Sequence, residues 1–257
     1  MKRTALLVVA ALVASVCVAD AAGHRSTSAR IAATRPPQFP VTEPCLTRVE
    51  RRKAFWFRAA DHTRLAGVVL GKGLRGVVLA HMGSGNICNW FPYARTLARS
   101  GFHVMAFDFR TYGISDIPAL QANARRYDLD VIAAVKVLRR RGARGIVLAG
   151  GSLGAGAVVV VAAQLKPPVQ GVISLSAPLQ VWDFDISAAA RELRVPALFV
   201  AAADDGEFPD DARSLYGESS APDKQLLVVP RGGHGTNLVR GVAAVRNAVT
   251  AFFVAHA

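Results

Sequence analysis

Short apolar runs, many of them unbroken rather than alternating, recur along the chain with helical patterns between them, and no other feature restricts the fold as strongly. The runs are Ala54–Arg58, Leu65–Leu70, Gly76–Ala80, His103–Phe109, Gly145–Gly150, Gly171–Ala177, Ala197–Ala203 and Gln225–Pro230. A strand that reads as continuous hydrophobe must be covered on both faces, the condition of a parallel strand between two helix layers. Between about 124 and 141, Tyr127, Val131, Ala134, Val135 and Leu138 fall on one helical face. Asp128 and Asp130 stand in its first turns, Arg139, Arg140 and Arg141 in its last, and Gly142 follows, matching the helix dipole and a glycine stop. Leu238, Val242, Val245, Val249, Phe252 and Phe253 mark one more helix near the end. Strands alternating with helices predict an α/β architecture: a mainly parallel eight-stranded sheet, helices on both faces, and an antiparallel edge from the first two strands.

Composition agrees with one large domain in the 257-residue chain. With 52% hydrophobic and 19% charged residues, it buries enough apolar surface to exclude a mainly disordered or collagen-like polymer. The 3 cysteines include no close pair accompanied by paired histidines, so neither a zinc finger nor a disulfide-built miniprotein is expected, and no metal or cofactor is required. The formal charge of +13 invites an anionic partner. The arginines are dispersed, however, without an aromatic-interleaved basic repeat, so nucleic acid is set aside; a weak association with an anionic envelope surface stays open.

Lys2 and Arg3 precede an apolar stretch, residues 5–19, and Ala19-Asp20-Ala21 offers a small-x-small cleavage site. Residues 1–21 therefore read as an export signal, because the apolar stretch 5–19 is shorter than the roughly 20 residues a membrane span needs. Residues 22–44, rich in Ser, Thr, Ala, Arg and Pro, are expected to form a mobile leader, and 45–257 the domain. The mature protein would be secreted, periplasmic or bound to the cell envelope. Cys45 and Cys88 would remain after cleavage. In an oxidising compartment they pair if their Cα atoms come within about 7 Å; otherwise they are two separate buried thiols.

The chemistry centres on Gly150-Gly151-Ser152-Leu153-Gly154, between the run ending at Ala149 and the helix-like stretch 155–165. A serine at a tight strand-to-helix turn is lifted above the carboxyl edge of the sheet, and small neighbours let the helix pack closely. Ser152 is the candidate nucleophile, and a serine hydroxyl needs a base and an orienting carboxylate. Ala203-Asp204-Asp205-Gly206-Glu207-Phe208-Pro209 follows the penultimate strand and Arg231-Gly232-Gly233-His234-Gly235 the last. In a parallel sheet both loops leave at the same edge as the serine turn.

With serine, acid and histidine in this order, the chain resembles the α/β-hydrolase superfamily over roughly residues 54–256. The resemblance implies Ser152 as nucleophile, His234 as base and Asp205, four residues before Pro209, as acid, with Asp204 its rival. It also implies an oxyanion hole from the Leu153 amide and a donor in His81-Met82-Gly83-Ser84-Gly85-Asn86, which is similar to the family's His-Gly loop. Met82 stands where that loop usually has glycine; its N–H is preferred as donor over that of Gly83. His81 is expected to tie down the loop, and Asp108 and Arg110, in a segment similar to the family's Asp-x-Arg-Gly loop, to brace it.

Gly71-Lys72-Gly73-Leu74-Arg75-Gly76 satisfies G-x-G-x-x-G but leads into a strand, so it reads as a β-turn rather than a dinucleotide site. His24, His62, His103 and His256 are ordinary surface or core histidines. Trp90, Phe91, Trp182 and Phe184 are candidates to line a substrate cavity, with burial in the core the alternative. Only 178–195 separates the sixth strand from the next, which leaves no room for a large cap. The expected reaction is hydrolysis of small carboxylic esters with short or flexible acyl chains. Thioester or peptide hydrolysis, or binding without turnover, are the alternatives, and oligomeric state is not legible.

Overall fold

A computed structural model describes residues 35–40 and 45–257. The proposed export signal, and the leader as far as residue 34, lie outside the described residues. An eight-stranded sheet forms the centre: β1 (Ala54–Arg58), β2 (Arg64–Leu70), β3 (Arg75–Ala80), β4 (His103–Phe107), β5 (Gly145–Gly151), β6 (Gly171–Leu175), β9 (Ala197–Ala202) and β10 (Lys224–Val229), in the order β1-β2-β4-β3-β5-β6-β9-β10. β2 pairs antiparallel with both β1 and β4, and the other pairings are parallel. A small hairpin, β7 (Gln180–Val181) and β8 (Phe184–Asp185), follows β6. Its two-residue strands carry no periodicity that a sequence reading could detect.

Because successive strand side chains point to opposite faces, the unbroken apolar runs feed two cores. Val78 and Ala80 of β3 join one, with α3 (Tyr127–Arg140), α4 (Leu153–Gln164), α5 (Ile186–Arg191) and α6 (Phe208–Glu218). Val77 and Leu79 join the other, with α2 (Phe91–Arg99), α7 (Asn237–Gly241) and α8 (Ala243–His256). Every residue of α4 from Leu153 to Ala162 is buried, as a helix apolar all round must be.

Several boundaries move. β4 stops at Phe107 and β6 at Leu175, two residues short of the sequence estimate in each case; beyond them the Asp108 carboxylate accepts from the loop amides of Ile87 (2.7 Å) and Ile114 (3.0 Å), and Ser176 adopts φ +51°. The terminal helix is two helices. Val242 is extended (φ −114°, ψ 113°) and packs on Gly232, where an added Cβ would lie 2.8 Å from Val242 Cγ2. The 71–74 connection is a bend between β2 and β3 and opens no helix; Gly71, at φ +69°, has Phe102 O only 2.1 Å from where a Cβ would stand.

The domain also reaches further toward the N-terminus than composition suggests. Phe39 is 3% exposed, Pro37 is buried, and the Trp56 indole N–H donates to Arg35 O (2.8 Å), so residues 35–40 pack with the domain rather than with a leader. Cys45 and Cys88 form a disulfide with Cα atoms 5.4 Å apart. It joins the segment before α1 (Arg48–Arg51) to the 3-10 turn Ile87–Asn89, directly after the 81–86 loop.

Candidate active site

β5 delivers Ser152 at its carboxyl end with φ 51° and ψ −115°, a strained backbone for a residue with a side chain. The surroundings enforce it. A Cβ on Gly150 would meet Gly154 O at 2.2 Å, and one on Gly154 would meet His81 O at 2.4 Å, so the turn closes only with glycine on both sides. Ser152 N–H donates to Leu175 O at 2.8 Å. The Leu153 amide opens α4, where a helix has no internal acceptor for it.

The acid and histidine loops leave β9 and β10 at the same edge. His234 Nδ1 lies 3.0 Å from both Oδ1 and Oδ2 of Asp205. A carboxylate oxygen only accepts, so Nδ1 carries the hydrogen of this contact. Asp204 does different work: its Oδ1 accepts from Gly232 N–H (3.1 Å) and Gly233 N–H (3.2 Å), shaping the loop that carries the imidazole. Side-chain exposure is 9% for Asp205 and 32% for His234, so the carboxylate is sheltered and the imidazole is partly open to solvent.

The histidine loop lies against the elbow. A Cβ on Gly151 would stand 2.9 Å from Thr236 N, and one on Gly235 would stand 3.6 Å from Ser152 N. Among the described residues the Ser152 hydroxyl makes no hydrogen bond to His234. Such contacts commonly tighten only when substrate binds.

The 81–86 loop is fixed beside the elbow by His81, which is fully buried. Its Nε2 accepts from Phe109 N–H (3.0 Å), so its Nδ1 carries the proton and donates to Met82 O (2.7 Å). Burial pushes its pKa down to about 4, and the ring is neutral near pH 7. Met82 spans two loops: Thr236 Oγ1 donates to its Sδ at 3.6 Å, and Sδ lies 3.2 Å from the Cβ position of Gly235. Gly83 faces Leu153 and Tyr112, with Leu153 Cβ and the Tyr112 hydroxyl each 3.9 Å from its Cβ position.

Asp108 and Arg110 brace the surrounding loops. Asp108 accepts from Ile87 N–H (2.7 Å) and Ile114 N–H (3.0 Å). Arg110, fully buried, pairs with Asp130 (2.7 Å) and Asp61 (2.8 Å) and donates to Asn123 O (2.7 Å). Burial raises the Asp130 carboxyl to about 6 despite this pairing. Of the other histidines, His103 is buried in β4, His62 is exposed and His256 lies 3.6 Å from Asp223; His24 is outside the described residues.

Two aromatic candidates do not line a cavity. Trp90 is 1% exposed and donates to Ala80 O (2.7 Å), and Phe91 is fully buried; both anchor α2 in the second core because that helix needs large apolar side chains against the sheet. Phe184 packs on the first core. Trp182 is 40% exposed on the β7–β8 hairpin, 5.6 Å from the Tyr127 ring and with Arg125 5.1 Å from its centroid. Two residues missed from sequence belong to the site: Phe208, whose ring is 4.3 Å from the His234 ring, and Ser176, which donates to Asp205 Oδ2 (2.7 Å). Phe208 was visible only as a neighbour of Pro209, and Ser176 as a polar residue ending an apolar run. Among the described residues no group of three or more His, Cys, Asp or Glu is placed to hold a metal ion.

A family model described as the alpha/beta hydrolase fold matches residues 77–192. Among solved structures, an esterase of Pyrococcus furiosus is similar with a TM-score of 0.70 at 17% identity, over 85% of this chain and 97% of that one. An esterase from Exiguobacterium antarcticum matches with 0.66 at 16%, over 76% and 98%. Est1E from Butyrivibrio proteoclasticus, solved with ferulic acid bound, matches with 0.66 at 15%, over 79% and 98%. No curated protein matches the sequence.

Proposed function

We propose that this chain, whose fold is that of the α/β hydrolases, is an exported serine hydrolase that cleaves small carboxylic esters. One observation carries the reading: a histidine held through Nδ1 by Asp205, on a loop packed against the strained Ser152 turn. Ser152 Oγ attacks the ester carbonyl carbon as His234 Nε2 takes its proton. The carbonyl oxygen becomes an oxyanion, accepted by the N–H groups of Leu153 and Met82, each such donor contributing about 3–4 kcal/mol in hydrolases of this kind. His234 then gives its proton to the departing alkoxide and leaves an acyl group on Ser152. A water, deprotonated by His234, attacks that acyl group; the carboxylic acid departs and the Ser152 hydroxyl is restored. Asp205 holds the tautomer throughout and stabilises the imidazolium.

The connection between β6 and β9 consists of the small hairpin and α5, which favours short or flexible acyl chains over those needing a long covered tunnel. Esterases among the structural neighbours support ester substrates. The test is labelling with a fluorophosphonate followed by peptide mapping. Wild type should be modified at Ser152 and Ser152→Ala should not; a folded, unlabelled wild type would replace this reading with that of a binding protein. A panel of ester, thioester and peptide substrates then ranks the acyl donors by kcat/KM. Export is tested by N-terminal sequencing of the mature protein, expected to begin just after Ala21. Association with anionic envelope surfaces, motivated by the +13 charge, should weaken as salt rises.

A further inference from the structure

Leu175 and Ser176, at the carboxyl end of β6, touch all three loops of the site. Leu175 O accepts from Ser152 N–H at 2.8 Å. Ser176 Oγ donates to Asp205 Oδ2 at 2.7 Å and accepts from Gly235 N–H, next to His234, at 3.0 Å. Its own N–H donates to Val200 O (2.8 Å) in β9. Ser176 is fully buried and sits at φ +51°, a conformation that L-residues keep only where surrounding contacts over-determine it. A hydroxyl has one proton to give; here it goes to the carboxylate, while the oxygen holds the histidine loop.

We propose that Ser176 is a positioning residue of the hydrolytic site, fixing Asp205 and the His234 loop relative to the Ser152 turn. The proposal rests on the serine-hydrolase reading above. The Ser176 proton takes up part of the charge on Asp205. Without it, more of that charge is available to the imidazolium, so His234 becomes more basic while the carboxylate is less well held. The other acids of that loop lie elsewhere: Asp204 accepts from Gly232 and Gly233, and Glu207 is exposed.

The experiment measures kcat, KM and the pH profile of kcat/KM for the purified mature protein, using a soluble short-chain ester, in wild type, Ser176→Ala, Asp205→Asn and the double variant. Ser176→Ala should lower kcat about tenfold or more, the scale of a hydrogen bond to a charged group, with KM within about twofold, and should move the acid limb to higher pH. It should add less than about twofold to Asp205→Asn, because it acts through that carboxylate. An unmoved or lowered acid limb, an unchanged kcat, or full additivity with Asp205→Asn overturns the proposal. If Ser176→Ala does not fold, Ser176→Cys, close in size and a weak donor, must show the same direction of shift. A wild type that neither hydrolyses the ester nor takes the fluorophosphonate label refutes the hydrolase reading instead.

Discussion

The ring of Phe208 lies 4.3 Å from the imidazole of His234, tilted by 53°, while Asp205 holds the same imidazole through Nδ1. One contact limits rocking of the ring and the other sets its rotation. An aromatic contact of this kind is worth about 0.5–1.5 kcal/mol. Phe208→Ala should therefore lower kcat/KM for a short-chain ester by about three- to tenfold, mainly in kcat, and Phe208→Leu should recover much of it. Steady-state kinetics decide; a change below about 1.5-fold would remove Phe208 from the site.

Asp204 and Asp205 are adjacent in sequence but divide their work, Asp204 with the glycine amides and Asp205 with the imidazole. Asp205→Asn puts an amide against Nδ1 and favours the wrong tautomer, which should lower kcat by about 10⁴-fold. Asp204→Asn retains an acceptor for the glycine N–H groups and should keep kcat within about tenfold. Asp204→Ala should lose about 1 kcal/mol of stability. Equal kcat losses for the two asparagine variants would overturn this division.

Much of the scaffold was legible because its signals are local. Unbroken apolar runs mark strands covered on both faces, and glycines around Ser152 mark a turn without room for a Cβ. Ser176 was not legible because its function arises only from where β9 and β10 lie. Trp90 and Phe91 were ambiguous because a large aromatic side chain suits a core and a substrate wall equally, and only packing distinguishes them. The choice between Asp204 and Asp205 likewise needed coordinates, since the two are one residue apart. The break at Val242 leaves no mark in the sequence because the apolar periodicity continues through the kink.

Glu50 links the N-terminal segment to α2. Its carboxylate lies 2.6 Å from Arg95 and is 12% exposed, and the hydrogen bond from that guanidinium is the main reason its pKa falls from 4.5 to about 2. A carboxyl lowered on folding stabilises the native state above its unfolded value, and this contribution is lost as pH falls from 4.5 toward 2. The contribution at neutral pH is about 3 kcal/mol as an upper figure. Glu50→Gln should reduce the unfolding free energy by up to that amount at pH 7, with the gap to wild type closing near pH 2. Denaturant titrations at both pH values check it; a gap independent of pH would contradict the ion-pair account.

The Cys45–Cys88 disulfide spans a sequence separation of 43 residues. Closing a loop of that length restricts the unfolded chain by about 4 kcal/mol on the chain-entropy estimate. Replacing both cysteines with serine should lower stability by about 2–4 kcal/mol, leaving kcat near wild type because Asp108 still holds Ile87 N–H at 2.7 Å. A large loss of kcat in a folded variant would instead make the bridge a support of the 81–86 loop.

His81 sets a lower pH limit on the site. Burial lowers its pKa from 6.5 to about 4, so the native ring stays neutral where the unfolded one gains a proton. Stability from this group is therefore complete above about pH 6.5 and declines as pH falls through that value toward 4, by at most about 3 kcal/mol. The geometry explains why the native ring resists: a proton on Nε2 would face Phe109 N–H at 3.0 Å, since Nδ1–H is already given to Met82 O. His81→Gln cannot titrate in this range. Its stability deficit relative to wild type should shrink between pH 7 and pH 4, measured by denaturant unfolding at each pH. A deficit that stays constant or grows on acidification would show that protonation of His81 is not what the fold resists.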